Sequence, residues 1–375
     1  MIKILHVLSD SNVGGAGKWL VEFLKYYNKE RFKISVAIPE GSELKKYIEK
    51  FNNVDLYQIK GIRDKSFSFS GIVNSLRLMK KINPDIVHTS SVLSSRLAAI
   101  FLNIKSIYTK HCVYEPKKIF TKKIFRKINN SLNTKTCEKI IAVAEDAKSN
   151  LIKLGIDEKK ICVILNGVSE LKKLSPLEIK AIKEKYKIKP NKKIVGIIAR
   201  LSQSKGHMLF LETIKTIKNL GIKNIIFIIA GSGKMEKPLK EKIKKLCLED
   251  LVIMTGFLDN VTEIMNIIDV QVNCSIEGEA TSLSLLEGLS IGKPCVVTDA
   301  GGNSKIIKNE VNGFVVPIKK PKKMAECLIK ILNDDETYLK FSKSCIEIFK
   351  KKFTAKTMTE KIEKIYEEIF NISAN

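Results

Sequence analysis

Two glutamates frame the part of the chain whose residue types and spacing could do chemistry. Glu279 and Glu287 lie eight positions apart within segment 274–294, separated by the polar turn Ala280-Thr281-Ser282 and by Leu283, Leu285 and Leu286. At about 1.5 Å per helical residue, their carboxylates stand on the order of 10 Å apart, too far to share one bond-breaking event. The spacing suits two acids gripping different parts of one extended polar ligand, such as a nucleotide sugar. A pair of cations, Arg200 and Lys205, brackets a second polar turn. Arginine offers a planar fork and lysine a mobile point charge, so this loop could neutralise a departing diphosphate without a metal. In isolation the plainer reading is a solvated basic loop; its place at a strand end favours function.

Other candidates fall at similar places. Gly14-Gly15 opens a helix after the first apolar run, where a bare backbone and a helix N-terminus favour an anion. A plain tight turn explains it equally well. Gly231 begins Gly231-Ser232-Gly233 after another apolar run. Thr281, Ser282 and Leu283 enter a helix whose first N–H groups lack intrahelical partners. His88 and His111 each end a short apolar run, and a hydrogen-bonded structural histidine is the default for both.

The elements that must position these residues alternate. Apolar runs at 2–8, 34–38, 86–88, 106–109, 139–143 and 161–165 are separated by amphipathic stretches. The pattern restarts at 194–198, 225–230, 252–254, 269–273 and 295–298. Short apolar strands between amphipathic helices predict a mostly parallel sheet covered on both faces. Ligands of such sheets sit outside the carboxyl ends of the strands, where the candidates cluster. The chain of 375 residues is comfortable for two domains. The expected division is 1–168, a polar Lys-rich linker at 169–176, a second domain at 177–353 and a terminal helical segment at 354–375.

Composition excludes several classes. No run of 18 apolar residues exists, so no membrane span is expected, and 1–15 reads as a first strand and not a leader peptide. The eight cysteines contain no C-x-x-C pair, and no H-E-x-x-H or D-x-D occurs, so no built-in metal site is expected. The net charge is +26, with 30 Lys+Arg against 15 Asp+Glu in residues 1–168 and 36 against 25 in the rest. The lysines are spread along the chain, and no nucleic-acid-binding signature accompanies them, so no nucleic-acid partner is expected. Segment 117–128 concentrates six basic residues without an acid, with Phe120, Ile124 and Ile128 four apart. It predicts a basic amphipathic helix that docks on an anionic inner leaflet; a surface helix packed on its own domain is the alternative.

Read together, Gly14-Gly15, Val87-His88, the strand ending at His111, Asn166-Gly167-Val168, 200–206, Gly231-Ser232-Gly233, Glu279 with Glu287, Gly292-Lys293-Pro294, 299–303 and Asn312-Gly313-Phe314 resemble the retaining, nucleotide-sugar-dependent glycosyltransferases of family four. The resemblance runs over nearly the whole chain. It implies the GT-B fold, two facing Rossmann-like α/β domains with an interdomain cleft, and a terminal helix crossing back onto the first domain. It implies that Glu279 lies by the donor sugar, that Glu287 binds the ribose and that Arg200 and Lys205 bind the diphosphate. Gly15 would approach phosphate and acceptor, His111 would touch the donor sugar, and backbone amides at Thr281, Ser282 and Leu283 would cradle sugar and phosphate. The co-substrate would be a UDP-sugar, the acceptor a glycan or polyprenyl-linked glycan of surface polysaccharide synthesis, and the place the cytoplasm or the cytoplasmic face of the membrane. Two departures stand out. Ala280-Thr281-Ser282 follows Glu279 where Gly-Phe-Gly is frequent, and Lys305 stands where an acid is frequent. A sugar-nucleotide epimerase on the same fold and a non-catalytic nucleotide- or polyanion-binding protein are the alternative readings.

Overall fold

The computed structural model describes residues 1–374 apart from 112 and 114–117. The chain divides into two compact units, one made of Met1–Val168 with Thr354–Asn375 and the other of Ser169–Phe353.

The first unit carries seven strands: β1 (Ile2–Leu8), β2 (Phe32–Pro39), β3 (Val54–Ile59), β4 (Ile86–Ser90), β5 (Lys105–Lys110), β6 (Lys139–Ala142) and β7 (Ile161–Val163). They form one all-parallel sheet in the order β3-β2-β1-β4-β5-β6-β7. The crossover from β3 back past β1 to β4 makes a topological switch point between β1 and β4, the place where such sheets open a crevice. Ile4, Leu8, Ile34, Val36 and Ile86 pack against Trp19, Leu20, Phe23 and Leu24 of helix Gly15–Tyr26. Met358, Ile362, Ile365, Tyr366 and Ile369 of the last helix, Ala355–Ala374, complete this core.

β3 escaped the sequence reading. Its Val54-Asp55-Leu56-Tyr57-Gln58-Ile59 sits at the sheet edge and is mostly half-exposed, so it lacks the continuous apolar run of the inner strands.

The second unit carries β8 (Lys193–Ile198), β9 (Ile225–Ala230), β10 (Val252–Gly256), β11 (Val270–Asn273), β12 (Cys295–Thr298) and β13 (Gly313–Val316), again all parallel, in the order β10-β9-β8-β11-β12-β13. Helices His207–Asn219 and Pro321–Asn333 cover one face through Phe210, Ile214, Leu328 and Ile331. The stretch expected as a linker is no loose tether. Leu171 and Leu174 pack on the core of this unit, the Leu174 N–H donates to Asn266 Oδ1 at 2.9 Å, and Pro176 begins helix Pro176–Lys185 behind a Ser175–Glu178 capping box.

The expected continuous helix over 117–128 is two elements. A 3-10 turn at Lys118–Thr121 ends at the extended residue Lys122, and a helix runs from Lys123 to Thr136. Lys117 lies outside the described residues. Phe120 therefore belongs to the turn, and Ile124 and Ile128 to the helix.

Candidate active site

In the second unit the candidate residues gather at the carboxyl ends of β8 and β11. Arg200 follows β8, and the 3-10 turn Gln203–Lys205 leads into helix His207–Asn219. Gly206 joins them at φ +67°, a left-handed conformation that side chains rarely adopt. A Cβ there would run into the carbonyl of Cys274, the residue after β11. The glycine lets the cationic loop lie against the acidic one, and the Ile276 N–H seals them by donating to Ser204 O at 2.8 Å.

That approach brings Lys205 and Glu279 together. Lys205 Nζ donates to Glu279 Oε2 at 2.5 Å, and the Ser275 hydroxyl donates to the same oxygen at 2.7 Å. Glu279 is 5% exposed, whereas neighbouring Glu277 is on the surface. Among the described residues no group donates to Glu279 Oε1, so one carboxylate oxygen stays available to a ligand hydroxyl. Lysine has three N–H donors, so Lys205 can hold Glu279 and still reach a phosphate oxygen.

The acidic loop rests on a polar floor. Asn273 Oδ1 accepts the Ser275 N–H at 2.9 Å, Thr298 Oγ1 donates to Ser275 O, and Asn303 Nδ2 donates to Thr298 O at 3.1 Å. Gly301 and Gly302 lie flat against the carbonyls of Glu279 and Ala280, where a Cβ at either would collide, and the Gly302 N–H donates to Glu279 O at 2.8 Å. Sequence reasoning missed Ser275, Asn273 and Thr298 as supports. Their signal was slight: polar residues at the ends of two apolar strands.

The other residues take clear places. Arg200 is exposed, and no side chain among the described residues pairs with its guanidinium. Gly231, at φ +142°, presses on the carbonyl of Ala199, and the Leu201 N–H donates to Ser232 O at 2.8 Å, so the β9 turn braces the backbone on both sides of Arg200. Ser282 caps helix Leu283–Ser290 by accepting the Leu285 N–H at 3.4 Å, with Thr281 just before the cap. Glu287 is half-buried on that helix. Lys293 has a structural place: its ammonium donates to the carbonyls of Asn266 at 3.0 Å and Ile268 at 2.7 Å, and burial lowers its pKa to about 8. His207 is buried at the start of its helix, its pKa lowered to about 4 by burial first and then by Lys205.

In the first unit, Gly14-Gly15 and His111 lie at the carboxyl edge of the sheet. Gly14 caps helix Gly15–Tyr26 without a side-chain bond, and the space where a Gly15 side chain would stand is open. His111 Nε2 meets Ser90 Oγ at 3.1 Å, and its ring lies edge-on to Trp19 at 5.2 Å. Burial, then Lys110, pushes its pKa down to about 3, so it acts as a neutral hydrogen-bonding group. His88 is a structural residue. Its Nδ1 meets Tyr366 Oη and its Nε2 meets Thr109 Oγ1, both at 2.6 Å, and Tyr366 Oη reaches His6 Nε2 at 3.1 Å. Among the described residues no cluster of three or more His, Cys, Asp or Glu is placed to hold a metal.

Residues 178–347 match the family Glycosyl transferases group 1, and residues 13–170 match Glycosyltransferase Family 4. The chain belongs to these glycosyltransferases. It is 28% identical over 380 residues to the Escherichia coli UDP-Gal:alpha-D-GlcNAc-diphosphoundecaprenol alpha-1,3-galactosyltransferase, with 97% of this chain and 96% of that one covered. A glycosyltransferase structure from Rickettsia africae superposes with a TM-score of 0.85 at 26% identity, covering 98% of each chain. Anabaena HepE, solved in complex with UDP, shares the fold with a TM-score of 0.84 at 19% identity over 98% of this chain and all of that one. The two parallel-sheet, Rossmann-like domains of this glycosyltransferase are therefore those of the GT-B class.

Proposed function

We propose that this glycosyltransferase moves a hexose, with retention of configuration, from a UDP-sugar to a saccharide carried on a polyprenyl diphosphate. The observation that carries this is the Lys205–Glu279 pair on Ser275, a cation and an acid fixed side by side at the carboxyl ends of parallel strands. Lys205 and Arg200 would neutralise the diphosphate as the bond from sugar C1 to the phosphate oxygen breaks. Glu279 Oε1 would accept a donor-sugar hydroxyl, Glu287 the ribose hydroxyls, and the Thr281–Leu283 amides would face sugar and phosphate. Gly15 would let phosphate and acceptor approach, and Gly231 would keep the Arg200 loop in place. Neutral His111 would hydrogen-bond the donor sugar. The acceptor oxygen would attack C1 from the face the diphosphate leaves, its proton passing to the departing phosphate oxygen. No metal enters these steps.

The lipid-linked acceptor draws on the name of the Escherichia coli relative. It agrees with a basic, apolar surface in the first unit. Ile124 and Ile128 are 65% and 58% exposed, Ile119 and Phe120 about half, and Lys123, Arg126 and Lys127 line a groove of about 190 Å³ beside them. Such a surface suits an anionic leaflet, with the enzyme peripheral on the cytoplasmic face. Among the described residues no helix is long and apolar enough to cross a membrane.

The test is a thermal-shift panel of nucleotides and UDP-sugars, since a ligand of the native state raises the melting temperature. Transfer to a lipid-linked saccharide follows, with the anomeric configuration read by NMR. Stabilisation by UDP and a product with the donor's configuration are expected. An inverted product refutes retention. Epimerised sugar nucleotide formed without any acceptor would replace the transferase reading with the epimerase one.

A further inference from the structure

Two phenylalanines at the carboxyl edge of the first sheet have no use in the chemistry above. Phe69 is 78% exposed and Phe67 46%, and their rings pack edge-to-face at 5.4 Å. They close a segment in which every second residue is a cation or an aromatic, the two cations first: Arg63, Lys65, Phe67, Phe69. Exposed aromatic area of this kind is unfavourable unless something covers it.

The loop is pinned in place. The Asp64 N–H donates to Ser9 O at 2.8 Å, and the Asp64 carboxylate accepts the Ser11 N–H at 3.1 Å and the Ser11 hydroxyl at 2.6 Å. On the other side, Ser66 Oγ donates to Ser91 O at 2.7 Å, the Ser94 N–H to Ser66 O at 3.0 Å, and the Ser68 N–H to Ser94 Oγ at 2.8 Å. Ser68 also caps helix Phe69–Ile82. Ser9 and Ser11 follow β1 and Ser91 follows β4, so the loop is fastened at the switch point, on the sheet edge that holds Gly15 and His111.

Charge completes the picture. Arg63 and Lys65 are exposed and pair with no carboxylate among the described residues; the loop's own acid, Asp64, is turned to Ser11. A neighbouring groove of about 330 Å³ is lined by Lys60, Arg77 and Lys81 with Glu40 as its one acid. Two free cations beside two free aromatic rings match a short anionic head joined to an apolar chain. A bilayer alone would be served by a mobile loop. Rigid attachment behind the carboxyl ends of β1 and β4 fits a ligand that must be held in register with the reacting sugar.

We propose that Arg63 and Lys65 bind the diphosphate, and Phe67 and Phe69 the first isoprene units, of the lipid-linked acceptor. This rests on the acceptor reading above. The test is titration calorimetry of the full chain, with the donor site first saturated by UDP, using farnesyl diphosphate and inorganic pyrophosphate as probes. Wild type should bind farnesyl diphosphate. Phe67→Ser with Phe69→Ser should weaken that binding about tenfold or more and leave pyrophosphate binding within about twofold, because only chain contacts are lost. Arg63→Gln with Lys65→Gln should weaken both probes. All four side chains are on the surface, so an unchanged melting temperature and unchanged UDP affinity certify the fold. Failure of wild type to bind farnesyl diphosphate, or equal affinity in the phenylalanine variant, overturns the proposal. So does a variant that keeps farnesyl diphosphate but no longer sediments with phosphatidylglycerol vesicles, which would make the loop a bilayer contact. In each case retained UDP binding leaves the transferase reading standing, whereas absent UDP binding refutes that reading instead.

Discussion

Lys205 Nζ and Glu279 Oε2 are 2.5 Å apart although the residues are separated by 74 positions. The contact is enforced by backbone: Gly206 against Cys274 on one side, Gly301 and Gly302 against Glu279 and Ala280 on the other. Site chemistry and local folding therefore depend on the same few glycines.

Removing either partner should separate the two roles of the pair. Lys205→Ala leaves a nearly buried carboxylate without its cation, which should cost about 1–3 kcal/mol and lower transfer at least about a hundredfold. Glu279→Gln keeps the shape and can still meet Ser275, so it should lower turnover on the same scale while UDP affinity changes little. Turnover near wild type in both variants would remove these residues from the reaction.

Gly206→Ala tests the backbone contact. The added Cβ meets the Cys274 carbonyl in a left-handed conformation, so the two loops must part. A loss of about 2–4 kcal/mol in urea unfolding and at least tenfold weaker UDP binding are expected. Unchanged UDP affinity would show that Lys205 reaches its ligand without this close approach.

Tyr366 joins His6 and His88 inside the first unit. Tyr366→Phe leaves buried ring nitrogens without that hydroxyl and should cost about 1–3 kcal/mol, with faster hydrogen exchange in helix Ala355–Ala374. Burial lowers the pKa of His6 to about 3, and burial followed by the two neighbouring histidines lowers that of His88. Below pH 6.5 the unfolded chain takes up protons that the folded chain refuses. This stability is fully present above about pH 6.5 and is lost as pH falls below it, at about 1.4 kcal/mol per unit for each histidine, for His6 down to about pH 3. Urea midpoints at pH 7.5 and 5.5 measure the loss, and His6→Gln should flatten the dependence. An equal slope in that variant would assign the pH response to other groups.

What could be read in the chain follows from what leaves a local imprint. Inner strands such as Ile225–Ala230 are continuous apolar runs, so the two parallel sheets were legible. Edge strand β3, with Asp55 and Gln58 facing water, was not. The spacing of Glu279 and Glu287 drew attention to their segment. It could not show that Lys205 touches Glu279, because that contact depends on how two loops meet. It also could not reveal Ser275 as the second donor, or show that His88 serves the last helix through a tyrosine 278 positions away. The basic stretch at 117–128 was visible in composition, but its break at Lys122 was not, since no proline or glycine marks it.

That break changes how the surface meets a membrane. Ile124 and Ile128, one turn apart on helix Lys123–Thr136, present the most exposed aliphatic side chains of the stretch, with Lys123, Arg126 and Lys127 on the adjoining groove. Each cation near an anionic leaflet contributes about 1 kcal/mol, and the effect fades as salt shortens the Debye length. Wild-type enzyme should sediment with phosphatidylglycerol vesicles at low salt, release as salt rises, and ignore phosphatidylcholine vesicles. Ile124→Glu with Ile128→Glu should abolish sedimentation without moving the melting temperature, because both side chains already face water. Activity on a lipid-linked acceptor presented in vesicles should then fall more than activity on the same acceptor in detergent. Equal binding to neutral and anionic vesicles, or sedimentation unchanged in the double variant, would exclude this face as the membrane contact.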